Sequence, residues 1–297
     1  MAMEINYVDE LMQEVDANIK ELSEVFKFLL KYNQLFRGSG VEFAGLRDYI
    51  QGEDDATRID WKSSLRANKL YVKQYEEEKN LDIYILVDSS SSMLFGTQEK
   101  LKSEYAAIVA GSIAFAAIDS GDAVGFGMFA DKVHASMPPG GDISQYYMIL
   151  KSLVDPQFYG GPCDFKGALS YVLNSISEKT ALFIISDFIG IGEDWKDPLK
   201  AVCGKLYGVF GIMIRDVVDS KLPEGVGNMR LSDPFYPDNA MLVNLDHAKR
   251  EYDHEALIRE KKIESEFTNS GAGFIKVYTN QAFATPLVKY LQLMQEH

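Results

Sequence analysis

Short apolar runs alternate along this chain with longer segments in which apolar residues recur at helical spacing. Each run is apolar almost throughout, which is typical of a strand buried on both faces of a parallel sheet. The predicted strands are 81–87, 123–129, 181–188, 206–214 and 273–278. The predicted helices lie near 98–119, 142–154, 165–178, 194–203, 249–269 and 282–295. These repeated strand–helix units predict an α/β fold of the Rossmann type, with a doubly wound, mostly parallel sheet and helices on both faces.

Two segments depart from this alternation. A tight turn at 130–131 predicts a short hairpin strand at 132–137, which pairs back on the strand before it. Residues 216–245 read as a long connection that is rich in proline and glycine and carries two strand-like pieces, at 229–231 and 241–245.

The first 80 residues have a different pattern. One apolar stripe at helical spacing predicts a helix from about 9 to 36, which ends near Gly38 and Gly40. Residues 41–80 read as irregular and charged, and 70–76 could form an edge strand that leads into the central strand. We therefore predict that residues 1–80 form an N-terminal helix and extension packed on a main domain of residues 81–297.

Composition limits the partners. The chain has 30 basic and 44 acidic residues, a formal charge of −14, and a pI near 4.8. This balance argues against nucleic acid and against an anionic membrane surface, because both require a basic footprint. No apolar run approaches the roughly 20 residues that span a bilayer, and the start lacks a secretory pattern. The two cysteines form no framework, so we expect a cytoplasmic protein with no membrane insertion.

Polar residues follow two of the predicted strands at their carboxyl ends. Asp88, Ser90 and Ser92 alternate directly after the first strand, and Asp187 ends a later one. Ligands of open α/β sheets bind beyond the carboxyl ends of the strands, where the strand order reverses. Carboxylate and hydroxyl oxygens are hard ligands, which suit Mg²⁺ or, alternatively, Mn²⁺ or Ca²⁺. The sequence therefore predicts a divalent-cation site at this edge of the sheet.

A glycine-rich loop at 159–164 precedes one predicted helix, and Asp164 is a plausible N-cap for that helix. The order of Asp-x-Ser-x-Ser, glycine loop and strand-end aspartate resembles the von Willebrand factor A domain. That resemblance implies a metal-ion-dependent adhesion site, in which the loop contributes a threonine. Cys163 stands at the threonine position here, and a thiol binds Mg²⁺ poorly. The site is therefore weak, or Asp164 substitutes, or the metal has been lost.

A second set of motifs comprises Glu42–Phe43, Leu46–Tyr49, Gly52, Arg58–Lys62, Leu70–Lys73, the glutamate run that follows, Asp233–Pro234 and Tyr252. With these motifs the chain resembles, over roughly residues 37–295, the prokaryotic family called "domain of unknown function 58". The resemblance implies a von Willebrand factor A-like fold and an interaction or adaptor role beside a MoxR-type AAA+ ATPase.

Three functions remain open from the sequence. The leading hypothesis is a non-enzymatic interaction module in which Asp88, Ser90, Ser92 and Asp187, flanked by Cys163 or Asp164, hold a cation that accepts a partner's carboxylate. Its expected partners are the MoxR-type ATPase and a client protein. A metal-dependent phosphohydrolase is the second reading; it would use Asp88 as nucleophile, but Ser90 cannot replace the general acid, and no lysine has an evident place to steady a phosphoryl group. The third reading is a metal-free scaffold of the same fold.

Overall fold

The computed structural model describes Gln13 and residues 41–50, 59–67, 69–77, 82–236 and 238–282. Within these residues, contacts divide the chain into two compact units, 41–77 and 82–282, and each is described by itself. The predicted helices near 9–36 and 282–295 lie outside the described residues, apart from Gln13 and Ala282.

The first unit is a two-stranded antiparallel sheet with one short helix. Strand β1 (Val41–Asp48) pairs with β2 (Tyr71–Glu77), and helix α1 (Trp61–Ala67) lies between them in the chain. The prediction of an irregular segment with an edge strand at 70–76 was wrong on two points: β2 pairs with β1 in a separate sheet, and β1 and α1 were not expected. The register of β1 shifts at a bulge, which breaks the alternating pattern that would have revealed a strand.

The second unit contains the main sheet, and its bounds follow the apolar runs closely. Its strands are β3 (Asp82–Asp88), β4 (Ala123–Phe129), β5 (Val133–Gly140), β6 (Thr180–Ser186), β7 (Gly208–Arg215) and β10 (Gly273–Tyr278). Their order is β10-β7-β6-β3-β4-β5, and β5 alone is antiparallel to its neighbour. The predicted α/β fold with a mostly parallel sheet and an antiparallel hairpin strand is confirmed. The strand order reverses between β3 and β6, and this gap is the switch point of the sheet.

Helices cover both faces of this sheet. They are α2 (Lys102–Asp119), α3 (Ile143–Leu153), α4 (Phe165–Ser175), α5 (Lys196–Lys205), the single turn α6 (Val217–Ser220) and α7 (Leu245–Asn269). Tyr84 and Leu86 of β3 belong to one buried cluster with residues of α4, α5 and α7. The alternate residues of β3 face the opposite layer, which α2 covers. Burial on both faces explains why β3 and β6 read as continuous apolar runs.

The long connection after β7 contains a separate hairpin. Strands β8 (Asn228–Ser232) and β9 (Ala240–Asn244) pair with each other, close to the two predicted strand-like pieces. Asn244 then caps α7, because its side-chain oxygen accepts a hydrogen bond from the backbone of His247. Of the helices described, none is both long and apolar enough to cross a bilayer.

Candidate functional site at the switch point of the sheet

Asp88 joins the two strands on either side of the switch point. It is the last residue of β3, and its Oδ1 accepts a hydrogen bond from the backbone N–H of Ser90 at 2.8 Å. Its Oδ2 accepts a short bond of 2.6 Å from the hydroxyl of Ser186, the last residue of β6. The thiol of Cys163 donates to the same oxygen at 3.6 Å. Asp88 is fully buried, so its carboxylate depends on these donors in place of water.

The two serines of the Asp-x-Ser-x-Ser loop lead from Asp88 to Asp187. A turn of 3-10 helix over Ser91–Leu94 begins directly after Ser90. The hydroxyls of Ser90 and Ser92 lie 3.1 Å apart, and Ser92 donates to Oδ1 of Asp187 at 3.1 Å. Both hydroxyls are buried, as is Asp187. The strand-end oxygens that the sequence selected therefore form one connected cluster.

The glycine-rich loop is fastened to this cluster through its backbone. Gly160 donates to the carbonyl of Ser89 at 2.8 Å, and the carbonyl of Gly161 accepts from the N–H of Ser91 at 3.0 Å. Both glycines have positive φ angles, of 121° and 82°, which residues with a Cβ rarely adopt. This loop places Cys163 against Asp88.

Asp164 has a different structural role from its neighbour Cys163. Its Oδ1 accepts from the backbone of Gly167 at 2.9 Å, so the prediction that Asp164 is the N-cap of α4 is confirmed. Its side chain is exposed. The structure therefore brings Asp88, Ser90, Ser92, Cys163 and Asp187 together, whereas Asp164 is engaged at the helix end beside them.

Lys102 is a member of the site that sequence reasoning missed. It is the first residue of α2 and is 1% exposed. Its Nζ lies 2.7 Å from Oδ2 of Asp187 and 2.9 Å from Oδ2 of Asp219. The ring of Phe95 is 5.6 Å from the same ammonium. A lysine at a helix start usually points to solvent, so the sequence carried no signal for this burial.

A third strand end adds two more carboxylates. Asp216 follows β7 and accepts two bonds of 2.6 Å from Thr97, one from its N–H and one from its hydroxyl. Asp219 accepts from the backbone of Asp216 as well as from Lys102. These contacts tie the loop between Ser92 and Lys102 to the end of β7, so the candidate site spans three neighbouring strands.

The charges of the site are unbalanced. Lys102 forms ion pairs with Asp187 and Asp219, and the same group of side chains also contains the carboxylates of Asp88 and Asp216. Burial, followed by the charge of Asp187, raises the pKa of Asp88 from 3.8 to about 6, although bonds from Ser186 and Ser90 counteract part of the rise. Burial and the same carboxylates also raise the pKa of the Cys163 thiol, which keeps it a protonated donor.

The donor set fits a hard divalent cation in part. Ser90, Ser92, Asp88 and Asp187 offer hydroxyl and carboxylate oxygens of the kind that Mg²⁺ prefers, and the excess negative charge favours a cation. Cys163 supplies a soft, protonated sulfur, which does not fit. Throughout the described ranges, no group of three or more His, Cys, Asp and Glu side chains is placed to hold a metal. An ion at this site would therefore depend on the two serine hydroxyls.

The geometry is less suited to a phosphohydrolase. The sequence offered no lysine for a phosphoryl group; Lys102 does lie in the site, but its ammonium is held between Asp187 and Asp219. Both oxygens of Asp88 accept hydrogen bonds inside the cluster, and the residue is buried. Asp88 is therefore poorly placed to attack a substrate.

These features define a doubly wound α/β domain with a carboxylate–hydroxyl cluster at its switch point. The chain belongs to the family described as Protein of unknown function DUF58, whose profile matches residues 45–263. This match confirms the second resemblance seen in the sequence. Uncharacterized proteins of Mycobacterium tuberculosis and Mycobacterium bovis are 29% identical over 205 residues, which is 67% of this chain. The match spans 62% of the length of each relative.

Solved structures that align with this chain include two from Bacteroides. The conserved hypothetical protein BatB of Bacteroides thetaiotaomicron has a TM-score of 0.46 and 16% identity, over 73% of this chain and 98% of that one. An aerotolerance-related membrane protein of Bacteroides fragilis has a TM-score of 0.47 and 18% identity, over 73% and 100% of the two chains. The architecture described above rests on this chain's own strand order.

Proposed function

We propose that this chain is a non-enzymatic protein-interaction module, and that the cluster at the switch point is its functional centre. The observation that carries the proposal is the convergence of Asp88, Ser90, Ser92 and Asp187 from the ends of β3 and β6. A buried group in which carboxylates outnumber their cationic partners is costly to maintain for stability alone. A binding role accounts for it.

The cation in this proposal is Mg²⁺, with Mn²⁺ or Ca²⁺ as alternatives. Ser90 and Ser92 would hold it directly, and Asp88 and Asp187 would hold it directly or through water. Once bound, such an ion supplies an open coordination position for a carboxylate of the partner protein. This chemistry suits a chain of charge −14, because a cation can join two acidic surfaces.

The surface around the cluster supports an interface. Leu94 and Phe95 directly follow the Asp-x-Ser-x-Ser loop, and their side chains are 46% and 42% exposed. Aromatic side chains are enriched in protein-binding surfaces, and the most buried part of such a surface is the more apolar one. We assign Leu94 and Phe95 to the proposed interface beside the cluster.

The family resemblance suggests the partners. A MoxR-type AAA+ ATPase, together with a client protein, is the proposed assembly, and the cytoplasm is its proposed location. We propose neither nucleic acid as a partner nor membrane insertion for the described part of the chain, in view of the acidic composition.

Capture of partners from native lysate tests this proposal. The full chain, its Ser92→Ala variant and its Ser91→Ala variant would each be crosslinked in the presence of Mg²⁺ and, separately, of EDTA. Ser91 is the matched control, since it lies in the same turn but its hydroxyl makes none of the cluster's bonds. We expect an AAA+ ATPase with the wild type and Ser91→Ala, and its loss with Ser92→Ala and EDTA. Equal capture by all three proteins would refute the role of the cluster.

The metal-free scaffold is a second candidate because two observations favour it. Cys163 replaces a hard ligand, and Lys102 already places a positive charge on Asp187. Calorimetric titration with Mg²⁺ and Mn²⁺ separates the two candidates. Binding that Asp88→Ala abolishes supports the metal site, whereas no binding by the wild type supports the scaffold.

A further inference from the structure

The ammonium of Lys102 lies where a charge would most affect an ion at the cluster. It contacts Oδ2 of Asp187 at 2.7 Å, while Oδ1 of the same carboxylate accepts from Ser92 at 3.1 Å. Lys102 and Asp187 are each at most 1% exposed, so little water screens this charge. One carboxylate therefore joins the fixed ammonium to the hydroxyls of the candidate cation site.

We propose that Lys102 is a built-in cation that sets the affinity of this site for divalent ions. The inference rests on the proposed function, since it concerns the same cluster. The ammonium neutralises Asp187 on one oxygen and repels any second cation brought to the other. The wild-type cluster is therefore a weak divalent site, and Lys102 determines how weak its affinity is.

The second partner of Lys102 keeps the charge in place. Asp219 accepts from the ammonium at 2.9 Å, and its carboxylate also accepts from the backbone of Asp216. A buried lysine without carboxylate partners would be costly, whereas two short ion pairs stabilise it. Displacement of Lys102 would break both pairs, so an arriving ion has to coexist with the ammonium.

The position of Lys102 also explains why a cysteine is tolerated at position 163. If the buried carboxylates depended on a bound ion for charge balance, a thiol in place of a hard ligand would weaken ion binding and leave their charge uncompensated. Here the ammonium supplies part of the balance, and the thiol donates a hydrogen bond to Asp88. The thiol of Cys163 and the ammonium of Lys102 are therefore both consistent with a cluster that binds a divalent ion only weakly.

The test substitutes Lys102→Met, which removes the charge and keeps most of the side-chain length. Lys166→Met is the matched control, because Lys166 also forms an ion pair of 2.8 Å, with Asp194, but is exposed. Mg²⁺ and Mn²⁺ binding would be measured by titration calorimetry, and the melting temperature in Mg²⁺ and in EDTA. We expect Lys102→Met to bind Mg²⁺ about tenfold or more tightly than wild type. Its melting temperature should also depend more strongly on Mg²⁺, whereas Lys166→Met behaves as wild type.

An affinity of Lys102→Met equal to or weaker than that of wild type would overturn the inference. So would tighter binding that persists when Asp88→Ala is added, since the ion would then lie elsewhere. If Lys102→Met folds only when Mg²⁺ is present, that dependence, followed by circular dichroism, supports the proposal. If it folds in neither buffer, Lys102→Gln, which keeps a donor, is titrated in its place, and binding no tighter than wild type overturns the inference.

Failure of the inference and failure of the proposed function can be told apart. Partner capture by wild type against Ser92→Ala reports on the interaction role and does not involve Lys102. The ratio of the Mg²⁺ affinities of Lys102→Met and wild type reports on Lys102 whether or not a partner is captured.

Discussion

Asp88 carries a charge that the folded protein tolerates poorly without a cation, and this can be measured through Asp88→Asn. The pKa of Asp88 rises from 3.8 to about 6 in the folded chain because of burial and the neighbouring charge of Asp187. This rise corresponds to about 3 kcal/mol of destabilisation at neutral pH. Above pH 6 the folded state bears the full cost of the ionised carboxylate. As the pH falls from about 6 towards 3.8, the folded state takes up the proton before the unfolded chain does, so the cost disappears.

The increase in unfolding free energy that Asp88→Asn brings is smaller than the destabilisation caused by the ionised carboxylate. Asparagine can still accept from the N–H of Ser90, but its amide faces the Ser186 hydroxyl, which then lacks its charged acceptor. A hydrogen bond to a charged group contributes about 1.5–3 kcal/mol, so the net stabilisation by Asp88→Asn is between about 0 and 1.5 kcal/mol. In a domain of this size each kcal/mol raises the melting temperature by about 2–4 °C.

The assay is urea unfolding in EDTA at pH 7.5 and at pH 5. We expect Asp88→Asn to be more stable than wild type at pH 7.5 and to lose that advantage at pH 5. Saturating Mg²⁺ should reverse the order at pH 7.5, because a bound cation stabilises the ionised wild type. The reasoning would be refuted if Asp88→Asn were destabilised equally at both pH values in EDTA. Asp164→Asn serves as control, because asparagine caps a helix as well as aspartate does.

Three further predictions concern the frame around the site. Ser186→Ala should lower the unfolding free energy by about 2 kcal/mol in urea, because a buried carboxylate loses its shortest donor; an unchanged midpoint would contradict the described network. Gly211→Ala should lower the melting temperature, since its Cβ would lie 2.6 Å from the ring of Phe267, at a cost of about 1–3 kcal/mol. Gly204→Ala is its control, has open space around the new methyl group, and should be neutral or stabilising by up to about 1 kcal/mol. Asp164→Ala should cost about 1 kcal/mol of stability through the lost cap and leave Mg²⁺ titrations unchanged; weaker Mg²⁺ binding would instead show that Asp164 substitutes for the missing threonine.

The strand-end positions of Asp88 and Asp187 could be predicted because a buried strand is recognised from its own short run of apolar residues. A strand buried on both faces must be apolar throughout, so its last residue is marked by the first polar side chain. The alternation of strands and helices then brings the carboxyl ends of β3 and β6 to one edge. Ser186, which looked like the end of an apolar run, was not recognised as the donor to Asp88.

Lys102, Asp216 and Asp219 could not be predicted in this way. Nothing in the local pattern distinguishes a buried lysine at a helix start from an exposed one, because its partners come from a distant segment. Asp216 and Asp219 open a long connection whose position relative to the sheet follows from tertiary packing. Long-range ion pairs leave no periodic signal, so the charge balance of the site became visible only in three dimensions.

The wide sequence separation of the paired side chains has a consequence for how the protein folds. Asp88 and Ser186 are 98 residues apart, and Lys102 and Asp219 are 117 apart. At synthesis rates of about 5–20 residues per second, the partners of Asp88 and Lys102 are synthesised roughly 5 to 20 seconds after them. During this time α2 carries, at its first residue, a lysine that is buried in the folded protein but has no carboxylate partner yet. We therefore expect β3 and α2 to remain loosely packed against each other until β7 docks, so that closure of the charge cluster is a late step in folding.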